Sequence, residues 1–303
     1  MTKTYHTLVS AVDGVRLDGL LIAPDGAPKA LVQFCHGMAE YKERYIPFMT
    51  YLAEQGYACF IHDHRGHGKS VESEADLGYM GDDGADALVE DTHQWTLWFK
   101  SVYPGLKLTL LGHSMGSLIV RCYLQKYDAD IDALVVSGCV ASNPACGVAL
   151  GLVSLTKAFR GERHRSKLIT GMAFGAYNKN FPGAASPNAW LNTDEAAVAA
   201  YDADPLCGFT FTLNGYKALF TLVLSAYKAD LYQMAHRDLP VFFASGADDP
   251  CMTDRAHFEQ AVAFLKDLGY GNTSSRLFDG MRHEILNEPD RAIVYETVLA
   301  HLA

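Results

Sequence analysis

The chain has 303 residues, of which 49% are hydrophobic and 20% charged, and a formal net charge of −10. That is enough chain for a large core and an ordinary balance for a globular enzyme; the acidic balance speaks against nucleic-acid binding, and no apolar run approaches the roughly 18 residues of a membrane-spanning helix. Seven scattered cysteines without a C-x-x-C pair imply neither a disulfide frame nor a zinc site, and Met1 to Thr7 lack the apolar block of a signal peptide, so a reducing, cytoplasmic location is expected.

The chain opens with two alternating segments, Thr4 to Ala11 and Val15 to Ala23, around Asp13-Gly14, a hairpin signal. Ala30 to Cys35 reads as a buried strand, followed by His36-Gly37-Met38-Ala39-Glu40, a helix from about Arg44 to Gln55 and a strand from Tyr57 to Ile61. The stretch His62 to Ser70 then ends in Gly68-Lys69-Ser70, which looks like the close of a phosphate-binding loop. That motif needs glycine five residues before Gly68, where Asp63 stands, and the three histidines lack a recognisable metal-ligand spacing, so a strand-end turn beside the site is the preferred reading. A helix from about Asp83 to Lys100, the strand Leu106 to Leu111, a helix to Tyr127 and the strand Ile131 to Gly138 continue the alternation, which argues for a mostly parallel α/β sheet with helices on both faces.

From 141 to 214 the rhythm breaks into helical fragments with Gly and Pro punctuation. It resumes with a helix near Tyr216 to Met234, the strand Pro240 to Gly246, a helix from about Thr253 to Leu268, the strand Ser274 to Asp279 and a last helix near Arg291 to Leu302. The expected organisation is a core of 1–140 and 215–303 interrupted by a helical cap or lid, 141–214, over the strand ends where ligands of such sheets bind.

Gly112-His113-Ser114-Met115-Gly116 reads G-x-S-x-G between a strand and a helix, the arrangement of a nucleophile elbow. A serine hydroxyl is a weak nucleophile at neutral pH and needs a base, usually a histidine held by a carboxylate. His283 follows the last strand and Asp248 the strand before it, so Ser114, Asp248 and His283 all fall at carboxyl ends of strands, in the order Ser, Asp, His. Asp249 is the alternative acid, in which case Asp248 only ends a turn. His113 and His36 read as packing and structural residues. The oxyanion donors expected are the backbone N–H of Met115 and of Met38.

On these motifs, with Arg44-Tyr45, Asp63-His64-Arg65-Gly66-His67-Gly68-Lys69-Ser70, Tyr201 and Asp204-Pro205-Leu206, the chain resembles the α/β-hydrolase superfamily, specifically its monoacylglycerol lipase and lysophospholipase branch. The resemblance implies hydrolysis of a small lipid ester without cofactor or metal, with Ser114, Asp248 and His283 as triad and Met38 and Met115 as oxyanion hole. It leaves the head group, the acyl length and the oligomeric state undetermined.

Within the cap, apolar Gly147 to Leu155 precedes Lys157, Arg160, Arg163, Arg165 and Lys167, a pattern that fits transient contact with a membrane surface and also a pocket roof with a solvated basic loop. A proline iminopeptidase shares the scaffold and would use Asp194, Glu195, Asp202 or Asp204 to receive an amine. A hydrolase fold kept as a ligand-binding module is the non-enzymatic alternative, and Ser114 excludes a dehalogenase, whose nucleophile is Asp.

Overall fold

A computed structural model describes all residues 1–303. Its strands are β1 (Thr2–Val9), β2 (Arg16–Ala23), β3 (Ala30–Cys35), β4 (Tyr57–His62), β5 (Leu108–His113), β6 (Ala133–Ser137), β7 (Val241–Gly246) and β8 (Thr273–Phe278). They form one sheet in the order β1-β2-β4-β3-β5-β6-β7-β8; β1 and β2 pair antiparallel with their neighbours, and the other strands run parallel. The helices are α1 (Ile46–Glu54), α2 (Gly84–Val102), α3 (Met115–Tyr127), α4 (Ala145–Arg160), α5 (Lys167–Phe174), α6 (Glu195–Ala203), α7 (Leu213–Ser225), α8 (Arg255–Leu268) and α9 (Arg291–Leu299).

The central strands are apolar at nearly every position because both faces are covered. Successive side chains alternate between those faces: Leu110 and Leu134 join a core built with α2, α3, α7 and α8, while Leu111 and Val135 join one built with α1 and α9. The register brings Cys35 level with Gly112, His113 with Ser137, and Gly246 with Phe278. The loops leaving β3, β5, β7 and β8 therefore emerge along one edge.

At that edge the chain passes very close to itself. A methyl group at Gly116 would run into the Cys35 carbonyl oxygen, and one at Gly112 into the Gly116 carbonyl. These two glycines allow α3 to start directly against β3.

Between β6 and α7 there is no strand. The segment holds α4, α5, α6 and short 3-10 turns, and α4 packs on α7, which in turn packs on α2 and α3. α7 ends at Ser225 instead of reaching Met234: Ala226 and Tyr232 stay buried in an irregular segment around a 3-10 turn, where the Tyr232 hydroxyl donates to the Ala226 carbonyl at 2.8 Å.

The stretch from His62 to Ser70 is built around charge. Asp63 accepts from the backbone N–H groups of Lys42 and Lys69, both at 2.8 Å, and from Lys42 Nζ at 2.6 Å. Lys42, fully buried, also reaches Asp18 at 2.7 Å, so each buried charge has its partner. Gly68 closes on the Asp63 carboxylate. The loop is thus filled by its own carboxylate, which accounts for Gly68, while Gly66 closes on the Tyr79 backbone.

Candidate active site

Ser114 stands between β5 and α3 with φ 55° and ψ −119°, a conformation costly for a residue with a Cβ. Its N–H donates to the Ser137 carbonyl at 3.0 Å, which holds the turn, and its side chain stays half-exposed. Met115 opens α3, where N–H groups have no intrahelical acceptor.

The second expected donor, Met38, lies in the loop after β3. His36 Nδ1 donates to the Gly37 carbonyl at 2.8 Å, and its Nε2 accepts the His64 N–H at 2.9 Å, which places the ring proton on Nδ1. Because a peptide is planar, fixing the Gly37 carbonyl aims the Met38 N–H the opposite way, and that N–H has no acceptor within the protein. Ala39 follows at φ 52°, a left-handed conformation costing about 1–2 kcal/mol, with its N–H held by His67 Nε2 at 3.2 Å. His36 thus has a structural role, as expected, and His67 has one as well.

His283 is buried in the loop after β8. The carboxylate on its Nδ1 is Asp249, whose Oδ2 accepts at 2.8 Å; Asp248, the acid expected from the sequence, is exposed. The turn decides between them. Asp248 N–H is tied to the Met281 carbonyl at 3.0 Å and Asp249 N–H to Gly246 at 3.3 Å, which sends the Asp248 side chain outward. Asp249 caps the 3-10 turn Pro250–Met252, accepting from Cys251 N–H at 2.8 Å, and so points inward. The signal for this was in the sequence: an Asp directly before a Pro at a helical start is an N-cap.

Ser114, His283, Met38 and Met115 all line one cavity of about 780 Å³, which Asp248 does not reach. The rings of His113 and Trp190 flank His283 with centroids 4.6 and 5.0 Å away, and its Nε2 faces Cys251 Sγ at 3.9 Å. No hydrogen bond joins Ser114 Oγ to His283 here; such contacts often tighten only around substrate. Phe174, Leu219, Phe220 and Val223 supply apolar wall.

The family described as "Serine aminopeptidase, S33" matches residues 26–290. The chain belongs to this family. Within the Serine aminopeptidase, S33 family it has the α/β-hydrolase fold, and it is similar to proteins named as monoacylglycerol lipases. It is 28% identical to the monoacylglycerol lipase of Mycolicibacterium smegmatis over 98% of this chain and 96% of that one. With the human monoglyceride lipase the identity is 25%, over 88% and 78%. A highly thermostable carboxyl esterase from Bacillus coagulans in complex with glycerol shares the fold at a TM-score of 0.91 and 23% identity, over 99% of this chain and 97% of that one.

Behind this S33 hydrolase site lies a buried charge cluster that spacing did not single out. Arg44 bonds Glu284 through two nitrogens at 2.6 and 2.7 Å and Glu40 at 2.7 Å; Glu40 also accepts the Gly37 N–H at 2.5 Å and the Tyr45 hydroxyl at 2.9 Å. Burial raises Glu40, whereas the two bonds from Arg44 outweigh burial at Glu284 and lower it. The cluster ties the Met38 loop to the His283 loop.

Asp249, Cys251 and His283 also bring ligand-type atoms within 4.8 Å of one another. Asp249 and His283 are engaged with each other, and burial pushes the Cys251 thiol up to about 11, so the set reads as an acid–imidazole pair beside a neutral thiol. In the inserted segment, α4 buries Cys146, Ala149 and Val153 and exposes Val148, Leu155 and Phe159. Its basic flank is largely engaged: Lys157 pairs with Glu162, Arg163 with Asp76, and Arg165 donates to the carbonyls of Ala75, Leu77 and Thr210. No helix is long and apolar enough to cross a membrane.

Burial alone would lower the His283 pKa, but the Asp249 carboxylate outweighs it and holds the imidazole well above 6.5. A base works only when neutral, so activity is lost as pH falls through that raised value. In a pH profile of kcat/KM the acid limb is expected above pH 6.5, and in Asp249→Asn it should move to lower pH.

Proposed function

We propose that the protein is a serine hydrolase that cleaves the carboxylic ester of a small lipid, a monoacylglycerol or lysophospholipid, through an acyl-enzyme. Ser114 Oγ attacks the acyl carbon while His283 Nε2 takes its proton, and Asp249 holds the imidazolium that forms. The N–H groups of Met38 and Met115 receive the oxyanion. His283 then returns the proton to the leaving alcohol, activates a water to attack the acyl-Ser114 ester, and protonates Ser114 as the acid leaves.

The observation that carries this reading is the meeting of Ser114 and the Asp249-supported His283 in one cavity with largely apolar walls. The names of the relatives, monoacylglycerol and monoglyceride lipases, support it. Residues 141–214 serve in this reading as the cap that roofs the cavity.

The family description raises aminopeptidase activity as the second reading. A substrate amine would need an available carboxylate in the cavity. Asp194, Glu195, Asp202 and Asp204 do not line it: Asp202 takes Ser186 and Asn188, and Asp204 takes Tyr41. Glu40 and Glu284 line it but are committed to Arg44.

A substrate panel separates the readings: p-nitrophenyl esters of increasing acyl length, a monoacylglycerol, lysophosphatidylcholine and proline p-nitroanilide. The lipid esters are expected to be turned over at least about 100-fold faster than the anilide, roughly the 2.7 kcal/mol that two tenfold steps represent. Preference for the anilide would replace the esterase reading by the aminopeptidase one.

A further inference from the structure

Tyr201 sits near the end of α6, far from Ser114 along the chain, yet it touches the loop that carries Met38. Its hydroxyl donates to the Ala39 carbonyl at 3.0 Å, and the Gly208 N–H donates to the same oxygen at 2.9 Å. The Tyr201 ring lies against the Arg44 guanidinium, 5.0 Å from centroid to carbon, and Tyr41 donates to Asp204 at 2.8 Å. Residues 201–208 of the inserted segment therefore rest on residues 39–44 of the core.

Ala39 is where this matters. Its left-handed backbone persists only if its surroundings over-determine it, and the donors arrive from two bodies. His67 of the core holds the N–H; Tyr201 and Gly208 of the inserted segment hold the carbonyl. The Met38 N–H is one residue away.

We propose that Tyr201 is a positioning residue for acyl transfer, its hydroxyl holding the Ala39 carbonyl so that the Met38 N–H is set for the oxyanion only while the inserted segment is seated on the core. The proposal rests on the hydrolase reading above for its catalytic consequence, but the contact itself does not. Tyr201 lines the cavity, but its hydroxyl is spent on the Ala39 carbonyl, so the hydroxyl acts through Ala39. Binding of the ground state should thus be little affected, and the loss should fall on the step in which the oxyanion forms.

The test is Tyr201→Phe in the full chain, which keeps the ring against Arg44 and removes only the hydroxyl. Two quantities are read: kcat and KM with p-nitrophenyl butyrate, and amide hydrogen exchange over residues 36–41. A misaimed donor should cost less than the 10²–10³ of a deleted one, so kcat is expected to fall roughly tenfold with KM within about twofold, and the Ala39 amide, held by His67, to exchange faster. Unchanged kcat with unchanged exchange overturns the proposal, as does a rise in KM with kcat intact, which would make Tyr201 a substrate contact. If the folded wild type hydrolyses no ester, the hydrolase reading falls by itself, and exchange alone decides: faster exchange keeps the contact between the two bodies, unchanged exchange removes it.

Discussion

Ser114→Ala is expected to lower ester hydrolysis by about a millionfold while leaving the protein folded, the scale seen when a serine hydrolase loses its nucleophile. The Cys251 thiol faces His283 Nε2 at 3.9 Å, but it is pushed up to about 11 by burial and lacks the elbow beside the Met115 N–H. The substitution keeps a Cβ at φ 55°, so the elbow's strain is unchanged and loss of activity is not loss of fold. What remains should be the small rate that the oxyanion donors and binding give unaided. The measurement is the kcat of purified variant and wild type, with thermal unfolding to show that both are folded.

The second large effect distinguishes two adjacent residues. Asp249→Asn is expected to lower kcat by about 10⁴, because an amide at Nδ1 stabilises the wrong tautomer of His283 and cannot support its positive charge. Asp248→Asn should stay within about twofold of wild type, since that side chain is exposed and meets nothing in the cavity. Comparable losses in both variants, or a loss confined to Asp248→Asn, would return the acid role to Asp248 and require the loop after β7 to adopt another turn. The same pair of variants carries the pH test, since only the Asp249 substitution should move the acid limb.

Much of this site was legible in the sequence, and the parts that were not share a cause. The elbow could be read because Gly112 and Gly116 mark backbone crossings that no larger residue allows. The sheet could be read because apolar runs such as Leu108 to Leu111 are too short for helices and feed both faces at period two. The choice between Asp248 and Asp249 depends on turn geometry, which two identical neighbouring residues do not reveal except through the N-cap signal before Pro250. Lys42 stands among polar neighbours in Tyr41-Lys42-Glu43-Arg44, yet it is fully buried, because Asp18 of β2 and Asp63 in the loop after β4 reach it. Tyr201 likewise gains its meaning from Ala39, which lies across the interface between the inserted segment and the core. Periodicity reports what a residue's own element does; it is silent on partners brought by the fold.

The most direct test of the central claim is covalent. Folded protein is treated with a fluorophosphonate, and the adduct is located by peptide mapping. One adduct per chain is expected, on Ser114, absent in Ser114→Ala and formed more slowly in Asp249→Asn. Folded, ester-hydrolysing protein that carries no adduct on Ser114 would contradict it.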